Sequence, residues 1–212
     1  MKELFIALLG SCAMMSYGAI TGYGELIGST IQACDAPEIL LGTAFTNDLA
    51  NYRSACTGGQ ERCAADLALA LSLMQRLDND ENCVGSIECY EAHQALVSNI
   101  VASVDLDDTS WIKYAAGMEY ARGLNYGSRF LEGLSFTTNM LARLSERPCD
   151  LTVTNYWAAM MRLCKAPMLV PADAFRLNAA ILLADQNRWA EVVVYTNSLP
   201  ASAVELFVSD LE

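Results

Sequence analysis

There is one histidine, His93, in 212 residues. At neutral pH imidazole is the side chain best suited to take up and return a proton. A Ser-His or Cys-His dyad in this chain would therefore have to use His93 as its base. Glu91 stands close by in the chain, but nothing in the spacing brings a hydroxyl or a thiol to the ring. The expectation is a hydrogen-bonded or exposed histidine with no catalytic part.

Cysteine is the other reactive type, with eight copies. No CxxC occurs, and the nearest pairs, Cys56-x6-Cys63 and Cys83-x5-Cys89, are spaced too widely for a zinc ribbon. Cys34, Cys56, Cys63, Cys83, Cys89, Cys149 and Cys164 are the candidates for a disulfide framework formed in an oxidising compartment. Cys12 lies in the apolar leader. The alternative is a set of buried thiols packing as small hydrophobes.

Asp78-Asn79-Asp80-Glu81-Asn82 imitates the start of a calcium-binding EF-hand loop. The glycine that makes the turn is replaced by Cys83, and the bidentate glutamate by Cys89. A solvated acidic turn is expected instead. Glu88 and Glu91 form a carboxylate pair of the kind any acidic helix supplies, and no phosphate loop, paired-histidine motif or nucleophile elbow occurs. The reading is therefore no catalytic residues, no metal site and no resident cofactor. A lipid or pigment held by Tyr114, Tyr120, Tyr126, Phe130 and Phe136 is the lesser alternative to those aromatics forming core.

The net charge of −12 and the lack of any Lys/Arg cluster argue against nucleic acid as a partner. Charged residues make up 18% of the chain and apolar ones 53%. That imbalance calls for deep burial, a partner surface or membrane contact.

These residues must be carried by helices. Gln60–Leu77 is rich in Ala and Leu and apolar around much of its girth, so it reads as a central buried helix. Glu38–Tyr52 and Gly85–Val104 carry apolar residues at helical spacing. Trp111–Ser145 reads as two helices divided near Gly123–Gly127, with the glycines allowing close packing. Gly22, Gly24 and Gly28 favour a loop or a loose helix, and Ser202-x-x-Glu205 reads as a capping box before a short last helix. Residues 1–24 form an apolar segment with three readings: secretory signal, membrane anchor or core helix. Residues 25–212 are read as a single helical domain, divisible into a Cys-rich part, 25–107, and a helical-hairpin part, 108–212.

Asp150–Asn197 reads as helix, proline-marked turn, helix, turn, helix. Pro171 opens the second helix, Gln186-Asn187 ends it, and Arg188–Asn197 is helical despite the branched run Val192-Val193-Val194. Its segments TNYWAAMMRLCKA and LNAAILLADQNRWAEVV resemble one unit of a tetratricopeptide- or pentatricopeptide-type solenoid. The repeat glycine is replaced by Asn187, and the one echo found is Thr138–Leu144 against Thr154–Ala158. An ordinary helical hairpin accounts for the same residues. The resemblance implies stacked helical hairpins, and the acidic balance weakens the RNA binding that a pentatricopeptide likeness would carry.

The expectation is an all-α fold, an irregular bundle or short α-solenoid of seven or eight helices. Its function is read as a non-catalytic scaffold or accessory subunit with protein partners in a larger, membrane-associated assembly. Its place is the secretory pathway, outside the cell or in an organelle lumen, with membrane contact through the N-terminal segment. Two alternatives stand beside it: a secreted, disulfide-stapled carrier of an apolar ligand, and an organelle helical-repeat adaptor.

Overall fold

The computed structural model describes residues 20–147 and 169–210, and for Cys34, Asp35, Pro37 and Asp210 the backbone alone. Among the described residues there are ten α-helices and no strand. They are α1 (Tyr23–Asp35), α2 (Pro37–Leu40), α3 (Thr43–Ala55), α4 (Gly59–Asn79) and α5 (Ile87–Ala102), followed by α6 (Trp111–Tyr126), α7 (Phe130–Glu146), α8 (Pro171–Asp185), α9 (Trp189–Thr196) and α10 (Ala201–Asp210). The all-helical expectation holds.

The count exceeds seven or eight because the first third of the chain is cut more finely than its periodicity suggests. Gly24 and Gly28 lie inside α1 rather than in a loop, facing open space. The stretch expected as one helix, Glu38–Tyr52, breaks at Leu41-Gly42. There the Gly42 amide closes a turn on the Ile39 carbonyl (2.9 Å), and the Ser72 hydroxyl of α4 donates to the Leu40 carbonyl. A hydroxyl from another helix thus replaces the intrahelical partner that the break removes, which local sequence cannot reveal.

The inner helices are α4, α6 and α8. α6 packs on both α4 and α8, and the outer helices α5, α7 and α9 lie against them. α4 buries Leu67, Leu71, Met74 and Leu77 on one side and Ala64, Ala65, Ala68 and Ala70 around it, as its composition predicts. α5 is capped by Ser86, whose hydroxyl accepts from the Cys89 amide (3.2 Å). α8 opens on Pro171 at its first turn. α10 begins after Pro200, whose carbonyl takes the Ala203 and Val204 amides, so Ser202 lies inside the first turn and does not cap it. The branched run forms α9 because Val192 alone turns into the core, while Val193 and Val194 face outward. Tertiary position overrides the strand preference.

No helix among the described residues is long and apolar enough to cross a membrane. The three readings of residues 1–24, and the first helix expected after Asp150, fall almost wholly outside the described residues.

Candidate functional site

Of the two expected states, hydrogen-bonded or exposed, His93 takes the first. It lies on the buried face of α5, with a fully buried side chain. Its Nδ1 is 3.2 Å from the Gln94 side-chain nitrogen. An amide nitrogen can only donate, so Nδ1 is the acceptor and the ring proton belongs on Nε2. Nε2 in turn faces Glu119 Oε2 of α6 at 3.5 Å, and Glu119 is equally buried.

The cluster continues toward the surface. Arg122 places Nη1 3.7 Å from Glu119 Oε1 and pairs through Nη2 with Asp78 at the end of α4. α4, α5 and α6 are thereby joined by one polar chain, Asp78–Arg122–Glu119–His93–Gln94. Gly123 makes room for it, because a Cβ there would overlap the Gln94 amide and come within 3.0 Å of His93 Cε1. Both ring nitrogens lie within this packed interface, Nδ1 hydrogen-bonded to Gln94 and Nε2 facing Glu119 without a hydrogen bond. The buried Glu119 carboxylate has the Arg122 guanidinium as its charged neighbour, as burial of a charge demands.

The EF-like acidic turn serves the same interface. Asp78 holds Arg122, and Asp80 accepts from the Asn82 amide (3.0 Å) and pairs with Arg76 (3.3 Å). The bonds from Asn82 hold the Asp80 carboxyl below the usual carboxylate range. No cluster of three metal-ligating side chains occurs among the described residues.

Of the seven candidate disulfide cysteines, Cys149 and Cys164 lie outside the described residues, as does the Cys34 side chain. The other four are thiols. Cys63 Sγ lies 3.7 Å from the Ser103 hydroxyl, and burial pushes the thiols of Cys56 and Cys63 up. Cys83 and Cys89 have their sulfurs 3.2 Å apart. The shared hydrogen bond with Cys89, followed by burial, pushes Cys83 up.

Several of the aromatics pack against one another, as the core reading expects, while Phe130 lines a shallow surface pocket. Tyr114 is core, Tyr120 meets Phe136 edge to face at 4.8 Å, and Tyr126 stacks on Tyr90 at 6.3 Å. A cavity of about 290 Å³ remains between α6 and α7, lined by Val101, Asp108, Lys113, Met140, Arg143 and Glu146 among others. Lys113 donates to Asp108 (3.0 Å), which holds that carboxyl below its ordinary range.

A feature absent from the sequence reading is a repeated junction. α6 ends and α7 begins as α8 ends and α9 begins. Ser128 and Asn187 take left-handed backbone (φ 56° and 58°). Arg129 and Arg188 follow at φ/ψ −91/51° and −90/52°. Their amides reach back to Leu124 O (2.8 Å) and Leu183 O (2.9 Å), the signature of a Schellman end. Their guanidinium groups pair with Glu132 (2.5 Å) and Glu191 (2.6 Å) in the next turn. The signal was present as Ser-Arg-Phe-Leu-Glu against Asn-Arg-Trp-Ala-Glu. The echo sought at Thr138 and Thr154 missed it. In the same register Glu119 corresponds to Asn178, which donates to Thr137 of α7 (2.9 Å) and accepts from Asn125 of α6 (2.9 Å).

No known protein family, characterised protein or solved structure matches the chain.

Proposed function

We propose that the protein is a non-catalytic helical interaction protein, a short α-solenoid acting as scaffold or accessory subunit of a larger assembly. The observation that carries this reading is the outer face of α9. Trp189, Val193 and Val194 are 50, 52 and 68% exposed, and Ala190 lies among them. Residues at such three- and four-step spacing share one helix face. A grouped apolar stripe in water marks a contact surface more often than scattered apolar residues do. The acidic balance disfavours a polyanion as the occupant, which leaves protein as the partner class. The interior supports the reading too, since the one histidine has its ring nitrogens turned to Gln94 and Glu119. Membrane association in the secretory pathway belongs to the same proposal and rests on the apolar leader.

The test is site-directed crosslinking. A photoreactive residue in place of Val193 should give one dominant adduct in the native extract, while the same residue at exposed Asn99 of α5 should not. Val193→Asp should abolish association with that adduct protein and leave the fold intact. A monodisperse monomer with no adduct from either position would end the proposal.

The repeated junction favours a second reading, a helical-repeat adaptor with reduced thiols in an organelle. Counting free thiols under denaturing, non-reducing conditions separates the two. Seven or eight free thiols support the adaptor, and none or one supports a disulfide-bonded protein of the secretory pathway.

A further inference from the structure

The turn between α4 and α5 is built tightly. The Cys83 and Val84 amides both bond the Asp80 carbonyl (2.8 and 2.9 Å), and the Ser86 amide bonds the Cys83 carbonyl (2.9 Å). Gly85 stands at φ 74° and donates to the Tyr126 hydroxyl (3.2 Å), which itself donates to the Leu77 carbonyl (3.2 Å). Ser86 then caps α5 on the amide of Cys89. Both cysteines are thus fixed by backbone bonds before their side chains are considered. Their sulfurs lie 3.2 Å apart, closer than unbonded sulfurs ordinarily sit. Cys83 is buried at 5% exposure, whereas Cys89 is only half-buried and is the more accessible of the two residues. Cys56 and Cys63 lack this arrangement: the Cys63 sulfur meets Ser103, and Cys56 packs beside Tyr52.

We infer that Cys83 and Cys89 form a reversible intrachain disulfide, made by exchange with a low-molecular-weight disulfide. The Cys89 thiolate attacks one sulfur of the small disulfide, forming a mixed disulfide and releasing one small thiolate. The Cys83 thiolate then attacks the Cys89 sulfur, forming the intrachain bond and releasing the second. Two protein thiols are oxidised, one small disulfide is reduced to two thiols, and the two protons pass to them. The bond staples the turn that joins α4, α5 and, through Tyr126, α6. This site is independent of what binds α9.

The test uses the full chain, reduced and then equilibrated across mixtures of oxidised and reduced glutathione. Free thiols are blocked by alkylation before mass analysis. The expected product has lost two hydrogens, and cleavage after Glu88 leaves fragments joined through Cys83 and Cys89 until reduction. Cys83→Ser should stop at the mixed disulfide on Cys89. The oxidised chain should melt about 5 °C above the reduced one, from closing a short loop. Separate alkylation of Cys83 and Cys89 across the whole series, or linkage of either to another cysteine, would overturn the inference.

Discussion

The hairpins α6–α7 and α8–α9 share a junction and diverge immediately after it. Both turn on a left-handed residue, Ser128 or Asn187, and both pin the next helix with an Arg–Glu pair. α7 then runs 17 residues and packs along α6 and α8, burying Gly133, Thr137, Met140 and Leu144. α9 runs only eight and buries Val192 alone. The same turn therefore launches one outer helix whose inward side is covered by two inner helices, and one that sets Val192 and Tyr195 against the core but leaves Trp189, Val193 and Val194 in solvent. Burial of apolar area is what holds a helix of this length in place. On the interaction reading proposed above, this short helix with its exposed apolar residues is where a partner would dock.

That comparison breaks most severely at the contact between the two hairpins. Phe175 of α8 is fully buried, and a Cβ on Gly117 of α6 would meet its ring at 3.4 Å. Phe175→Ala should cost about 3–5 kcal/mol in urea unfolding, since it opens a cavity that rigid neighbours cannot fill. Leu131→Ala, on the exposed side of α7 at 72% exposure, should change stability by less than about 0.5 kcal/mol. Equal effects at both sites would mean that the hairpins do not share this core.

The next test concerns the polar cluster. Gly123 of α6 corresponds to Leu182 of α8, so α8 fills with a side chain the position that α6 gives to Gln94 and His93. Gly123→Ala should cost about 1–2 kcal/mol net, overpacking outweighing the better helix propensity of alanine. Gln94→Ala in the same background should restore part of that loss. A neutral Gly123→Ala would show that the Gln94 amide moves aside freely.

How much of this was legible in the sequence follows from range. Helix α4, the division of α6 from α7 and the Pro171 start were readable because composition, glycine and proline act within a few residues. The break at Gly42 was not, since the Ser72 hydroxyl that supports it comes from another helix. Sequence leaves His93 open between hydrogen-bonded and exposed because Glu119, which its ring faces, lies on a different element. A charge within the apolar run Ala115–Ala121 was the signal for it. The repeated junction was overlooked because its likeness lies in backbone angles and an Arg–Glu pair, with the glycine displaced. Gly127 precedes the left-handed position and serves another need, since a Cβ there would meet the Tyr90 hydroxyl at 2.5 Å.

The two left-handed residues give a finer comparison. Asparagine tolerates φ near +60° better than serine does, and glycine better than either. Ser128→Gly should therefore stabilise the chain by about 0.5–1 kcal/mol, and Asn187→Gly by less, both seen as a higher urea midpoint with unchanged slope. A larger gain at Asn187 would mean that its side chain opposes the turn.

The smallest effect separates the early helices from the hairpins by pH. The thiols of Cys56, Cys63 and Cys83 are shifted upward from 9.0, the first two chiefly by burial and Cys83 chiefly by its bond with Cys89. Tyr52 is also raised, by burial first. A raised acid favours its protonated form in the folded chain, so its contribution is complete below the ordinary thiol value and fades as pH climbs through the folded one. All four lie between α3 and the start of α5. In the hairpins the Arg188 bond lowers Glu191, whose contribution is present above the ordinary carboxylate range and fades in acid. That group is exposed and screened, so its share is slight. Under reducing conditions the melting temperature should hold level from about pH 6 to 8 and fall above about pH 9. Substituting Cys63 with alanine should flatten part of that alkaline fall, whereas Glu191→Gln should leave it unchanged. A fall governed by Glu191 instead would place the titrating weakness in α9, where the fold buries least.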